Sequence, residues 1–359
     1  MICPHCEKSL LRKERPGNVC SKCGRRYALD PKTNPLKLND LRVRRIALGL
    51  TQDGQVPCTP GQLWYALSRK SLRDSGAEMG CAVALTVVGV IVGFVGLGSE
   101  SGAIATLGGL LLLGAIGDVV AHVAGVGRGR PKLAREAFRT GPLAEWKSVY
   151  GALPDGVIED GRYPTPMTPG PASTLTNSGR APAPLTPAPS PDGIVLVCPD
   201  RSIAVFLDAA GLTARYGVTL VAEASALPAA PGRGPVLVLH DADAQGLLLA
   251  QRVRTAHPAR QVVDLGLPLG AVQGLARAVP VRGEVPQARV LELLGESGEL
   301  SPAQLKWLGK GWGFPLVGVP PAKLLAVVTR AVERAGTADD PVRRRAASVG
   351  FLTWPEEGR

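Results

Sequence analysis

Two pairs of cysteines near the start of the chain constrain its folding more tightly than any other feature. Cys3-Pro4-His5-Cys6 and Cys20-Ser21-Lys22-Cys23-Gly24 place four thiolates in two knuckles, with 13 residues between the pairs. That spacing closes a tetrahedral zinc site with no open position, so the expected metal ligands are Cys3, Cys6, Cys20 and Cys23. Gly24 stands where the second knuckle needs a tight turn. His5 lies inside the first knuckle but reads as a bystander, because four sulfur ligands already complete the site. A closed site of this kind serves recognition or rigidity rather than catalysis. The remaining cysteines, Cys58, Cys81 and Cys198, are scattered singly, which is not a disulfide framework and fits a reducing compartment.

The knuckles resemble those of the zinc-ribbon family over about residues 1–28. The resemblance implies a small β-rich module that folds only with its metal. The formal net charge of +11 is concentrated near this module: residues 1–79 hold 15 Lys and Arg against 7 Asp and Glu, whereas residues 193–359 hold 18 against 15. Basic character there favours an anionic partner such as nucleic acid, or an acidic surface. Tyr27 is the lone aromatic near the knuckles, so base stacking, and with it specific base readout, is not expected there. Residues 29–79 read as a basic helical segment, with one helix over 36–50 and a second from Gln62 to Leu72. Thr59, Pro60 and Gln62 supply the N-cap chemistry of that second helix. The pattern suits either a juxtamembrane platform or a minimal winged-helix-like unit.

Residues 80–99 carry no charged side chain, and residues 101–127 carry only Asp118. Each stretch meets the length of about 20 apolar residues for a transmembrane helix, so residues 80–126 are expected to form a two-helix membrane hairpin. The flanking Arg69, Lys70, Arg73, Arg128, Arg130, Lys132 and Arg135 put both termini in the cytoplasm of a multi-pass cell-membrane protein. Gly89 and Gly93 allow close helix packing, within the hairpin or between chains as a homo-oligomer. Asp118 and His122 share one helical face near the cytoplasmic end, where an interfacial role is expected.

A basic segment over 127–162 precedes a Pro-rich linker at 163–192, which holds nine prolines and cannot build a core. Beyond it, short apolar runs at 194–198, 218–222, 236–240 and 261–265 alternate with helical stretches. This is the pattern of an α/β domain with a mostly parallel sheet over 193–336, followed by a tail at 337–359. The run ending Leu239-His240-Asp241-Ala242-Asp243-Ala244-Gln245-Gly246 carries two carboxylates to the C-terminal end of a strand, the edge where open α/β sheets place ligands.

That Asp-x-Asp followed by Gly resembles the Toprim family of topoisomerases, primases and related nucleases, over about residues 193–266. The resemblance implies Mg²⁺-dependent phosphoryl chemistry with Asp241 and Asp243 as catalytic residues. The family's acid after its first strand is a glutamate, whereas here Cys198-Pro199-Asp200 offers an aspartate. Loss of that acid points to a degenerate, Toprim-like binding domain. Gln62-Leu63-Trp64-Tyr65 is also similar to the nucleophilic tyrosine segment of one class of topoisomerases. A membrane hairpin between nucleophile and metal site has no place in such enzymes, so packing is expected for Trp64 and Tyr65.

The expected fold is thus multidomain: a β-rich zinc ribbon, an all-α transmembrane hairpin and a C-terminal α/β domain. The expected function is a membrane-anchored protein facing the cytoplasm that binds or scaffolds nucleic acid or a nucleotide. A Mg²⁺-dependent nuclease or phosphotransferase using Asp241 and Asp243 is one alternative. A membrane adaptor for a protein partner is the other.

Overall fold

The computed structural model describes residues 1–74, 79–98, 102–123, 129–164, 193–229 and 234–338. Before the linker lie α1 (Asp40–Thr51), α2 (Pro60–Asp74), α3 (Met79–Gly98), α4 (Gly102–Val123), α5 (Arg135–Phe138) and α6 (Ala144–Tyr150). A wide-wound turn at Arg139–Leu143 joins α5 to α6. Beyond it follow β1 (Val195–Val197), α7 (Arg201–Ala209), α8 (Leu212–Tyr216), β2 (Thr219–Val221), β3 (Val236–Val238), α9 (Ala244–Ala256), β4 (Val262–Asp264) and α10 (Leu269–Gln273). The chain continues with β5 (Val281–Arg282), α11 (Ala288–Glu296), α12 (Pro302–Leu308), β6 (Trp312–Gly313) and α13 (Pro321–Ala338).

The four predicted apolar runs form one parallel sheet in the order β2-β1-β3-β4. Alternation along the strands divides the sheet's two faces. Leu196, Leu220 and Leu237 enter the main core, while Val195, Val197, Val221, Val236 and Val238 pack with Ala250 and Val253 of α9. Burial on both faces explains why the strands are continuously apolar. A two-stranded antiparallel ribbon, β5 with β6, lies beside a second cluster built by α9 to α12.

The main core does not stop at the linker. It runs from Ala28 and Leu29 through Leu63, Trp64, Tyr65 and Leu67 of α2 and Phe138 and Trp146 to Phe206 of α7 and Val328 of α13. Helix α2 begins as its punctuation predicts: Gln62 Oε1 accepts from the Thr59 N–H at 3.0 Å, with Pro60 in the first turn. The short extended piece before it pairs Cys58 with Val157 in parallel, so it joins the 150s loop rather than forming a wing. Trp64 Nε1 donates to Leu133 O at 2.9 Å, and Tyr65 Oη donates to Val279 O at 2.7 Å. These bonds tie α2 to segments on both sides of the Pro-rich linker.

Helices α3 and α4 pack as an antiparallel pair: Gly93 meets Gly108, while Gly89 meets Leu111 and Leu112. A Cβ on Gly108 would lie 2.5 Å from the Gly93 nitrogen, so glycine spends its small size on contact inside this pair. The expected two-span membrane hairpin is not sustained. Among the described residues no helix is long and apolar enough to cross a membrane. The transmembrane element of the expected fold, the membrane as partner, the membrane-anchored function and the multi-pass cell-membrane location with both termini cytoplasmic are corrected accordingly. The side chains of Asp118, His122 and Cys81, the linker over 165–192 and the tail from 339 lie outside the described residues.

Candidate functional site

The four cysteines converge. All four sulfurs lie within 4.8 Å of one another, with Cys3 to Cys23 at 3.9 Å and Cys6 to Cys20 at 3.8 Å. A tetrahedral ion with metal–sulfur bonds of about 2.3 Å requires sulfur–sulfur edges of about 3.8 Å, so the cluster has the size of a metal site such as zinc's. Two knuckle amides aim at sulfur, His5 N at Cys3 and Lys22 N at Cys20, both at 3.4 Å. His5 itself turns away: its Nε2 sits 2.9 Å from Arg26 O, which ties the first knuckle to the second. The module carries isolated antiparallel bridges, Ile2 with Ser9 and Val19 with Arg26, and short 3-10 turns.

This module is anchored to the body of the protein. Buried Asp40 accepts from Ala28 N at 2.9 Å, from Leu29 N at 2.8 Å and from the Tyr150 hydroxyl. Arg26 pairs with Glu145 at 2.6 Å, and Arg44 lies over the Tyr150 ring at 4.9 Å. The basic residues around the knuckles are therefore partly spent on docking.

The second set of candidates gathers at the C-terminal edge of the sheet. In the order β2-β1-β3-β4, chain connections diverge between β1 and β3, and a crevice opens outside the strand ends at such a point. A cleft of about 550 Å³ lies there, lined by Asp200 and Arg201 after β1, by His240, Asp241 and Asp243 after β3, and by Arg135 and Arg252. A neighbouring cavity of about 510 Å³ shares Asp241, Asp243 and Gln245 and is walled by Trp312 and Phe314. Trp307 stacks on both aromatics, at 6.1 and 5.5 Å.

Each carboxylate in the cleft already has a protein partner. Asp200 caps α7 through Ser202 N at 2.8 Å and takes two hydrogen bonds from the Arg135 guanidinium, both at 2.8 Å. Asp243 caps α9 through Gly246 N at 2.7 Å. Asp241 accepts from Leu316 N at 2.7 Å, where the bridge between Ala242 and Phe314 pins the loop. Burial, reinforced by the charge of Asp200, pushes the Asp241 carboxyl up to about 7 against the pull of the Leu316 N–H. Among the described residues, the four thiolates form the one group of three or more potential ligands close enough to share an ion. Asp200, Asp241 and Asp243 do not form such a group.

His240 sits behind this edge with Nδ1 2.7 Å from Asp241 O and Nε2 3.0 Å from Asp264 Oδ1. Both partners are acceptors, so both ring nitrogens donate and the ring is held as imidazolium. Burial alone would depress its pKa; the bonds to Asp264 and Asp241 outweigh it and raise it. The ring fits because residue 266 is glycine, whose Cβ would stand 2.1 Å from His240 Nε2.

Arg135, Asp264 and Trp312 are the participants that sequence reasoning missed. Arg135 is one of several basic residues in 127–162, and nothing local separates it from its neighbours. Its approach depends on Gly61, where a Cβ would lie 2.7 Å from the guanidinium. Tyr65 is buried, and its hydroxyl is engaged by both the carbonyl and the amide of Val279, so it is a packing residue here. Compared with known proteins, the chain matches no family model, no curated protein and no solved structure. What stands of the two resemblances is a four-cysteine cluster able to hold a metal and a parallel sheet.

Proposed function

We propose that this chain is a metal-organised binding protein: its four thiolates hold structural zinc, and its sheet-edge cleft binds a phosphorylated ligand of nucleotide size. The carrying observation is the Arg135–Asp200 pair. A divalent cation serving Asp200 and Asp241 together would have to displace a guanidinium that makes two 2.8 Å hydrogen bonds. A cleft with a fixed internal cation in that place suits binding better than Mg²⁺ catalysis. Arg201 and Arg252 at its rim and the aromatic wall beyond it suit phosphate at one end and a planar base at the other.

The reading is tested on the full chain by metal analysis and by calorimetric titration with AMP, with and without Mg²⁺. The expected result is one zinc per chain and AMP affinity indifferent to Mg²⁺, weakened about tenfold or more in Arg252→Glu. Mg²⁺-dependent hydrolysis of a phosphoester, lost in both Asp241→Ala and Asp243→Ala, would overturn it in favour of the enzyme with Asp241 and Asp243 as catalytic residues.

A further inference from the structure

Four cavities on this protein are joined end to end by shared lining residues. The cleft and the aromatic cavity share Asp241, Asp243 and Gln245; the aromatic cavity and a third share Trp312; the third and a fourth share Arg73. The fourth is a groove of about 430 Å³ lined by Arg42, Ala66, Arg69, Lys70 and Arg73. Positions 66, 69, 70 and 73 fall on one face of α2, and Arg42 reaches in from α1.

This groove differs from the paired arginines elsewhere in the protein. Arg26, Arg135, Arg139 and Arg201 each pair with a carboxylate. Arg42 and Arg69 instead donate to neutral backbone carbonyls, Leu67 O at 3.3 Å and Arg277 O at 2.9 Å. Those bonds orient the guanidinium groups without cancelling their charge. Among the described residues no carboxylate lines the groove, and Ala66 leaves room between the cations. A concave, uncompensated cation cluster is a seat for consecutive phosphates. The half-buried Trp312 lines the adjoining cavity; Trp307 stacks on it at 6.1 Å and the Arg282 guanidinium lies 5.9 Å from its ring centre, so what it adds to the path is an aromatic edge for an unpaired base.

We propose that single-stranded nucleic acid lies along this path, with backbone phosphates on Arg42, Arg69, Lys70 and Arg73 and a base against Trp312. The proposal rests on the cleft taking a phosphorylated ligand and extends that reading to a strand. A strand suits the path better than a duplex, because an unpaired base can reach the aromatic edge of Trp312 whereas a paired base keeps its faces stacked. Charge holds the strand with little preference for sequence.

The test is fluorescence anisotropy of a labelled oligo-dT of about 15 nucleotides with the full-length, zinc-replete protein over a series of salt concentrations. Wild type is expected to bind with strong salt dependence. The Arg69→Glu/Arg73→Glu double variant is expected to weaken binding at least tenfold and to flatten the salt slope. Arg69→Lys/Arg73→Lys retains binding, and Trp312→Leu costs about five- to tenfold. Circular dichroism melts check that each variant is folded, and the lysine variant keeps the inference testable if the glutamates unfold α2. Absence of binding at low salt, unchanged affinity in the glutamate variant, or equal competition by poly-glutamate overturns the proposal; the last outcome marks an acidic-peptide site. AMP titration of the same variants separates the two readings. Oligonucleotide binding without AMP binding removes the small-ligand cleft and keeps the groove, whereas the reverse removes the groove alone.

Discussion

The cysteine cluster and the sheet-edge carboxylates are both sets of strong metal-ligating groups, and the fold treats them oppositely. Around the cysteines the described hydrogen bonds to sulfur from outside the cluster come from knuckle amides, and two sulfur–sulfur separations, 3.9 and 3.8 Å, match the edge of a coordination tetrahedron. At the sheet edge, Asp200, Asp241 and Asp243 lie on adjacent strand ends, yet each is held by an amide or a guanidinium. Ligand residue types gathered at one edge are therefore a poor guide to metal binding; what counts is whether their donor atoms converge and are left free of other partners.

The largest expected effect tests the cysteine side. Cys6→Ser/Cys20→Ser leaves two thiolates, and the module loses a binding free energy on the order of 10 kcal/mol that doubles as folding free energy. Metal analysis is expected to show no zinc, and hydrogen exchange is expected to show residues 1–28 unprotected while the four-stranded sheet stays protected. Retained zinc would end the distinction between the two sites.

Arg135→Met tests the other side. Removing the guanidinium strands the largely buried Asp200, at a cost of about 2 kcal/mol. This is less than a fully buried pair would lose, because Arg135 is one-third exposed. Chemical denaturation measures it, and Arg135→Met/Asp200→Asn is expected to recover much of the loss. Mg²⁺ titration of the single variant is sharper still: newly acquired Mg²⁺ binding would mean that one arginine separates the carboxylate set from a metal centre.

Gly266→Ala places a methyl against His240 and is expected to cost about 1–3 kcal/mol, read by thermal melting. A further effect is a change of slope with pH. Asp241 titrates near 7 in the fold against 3.8 when free, so the folded state binds more protons than the unfolded one between those values. Stability from this group is therefore complete in acid and is lost as pH rises from about 4 to about 7. Asp241→Asn is expected to remove that fall. His240 acts at higher pH: its contribution is full below its ordinary value and is lost as pH rises through its raised one.

Much of the C-terminal fold was legible because strands buried on both faces must be continuously apolar, as the central runs Val195–Val197 and Val236–Val238 are, with β2 and β4 on their flanks. The cap at Thr59–Gln62 was legible for a similar reason, since it is a local hydrogen bond within one turn. The apolar stretches over 80–126 misled because apolar content alone does not say what covers a helix.

The role of Asp200 was half legible. Its position after β1 is written in the strand pattern, but its partner lies 65 residues away in another segment. Spacing within about 25 residues determined by itself that four sulfurs can meet, since knuckle turns are short-range geometry. Only the tertiary structure decided that Arg135 reaches Asp200, that α2 shares a core with the sheet, and that Arg73 and Trp312 lie on one path. Those are contacts between segments whose sequences carry no record of each other, and they form where burying apolar surface brings the segments together.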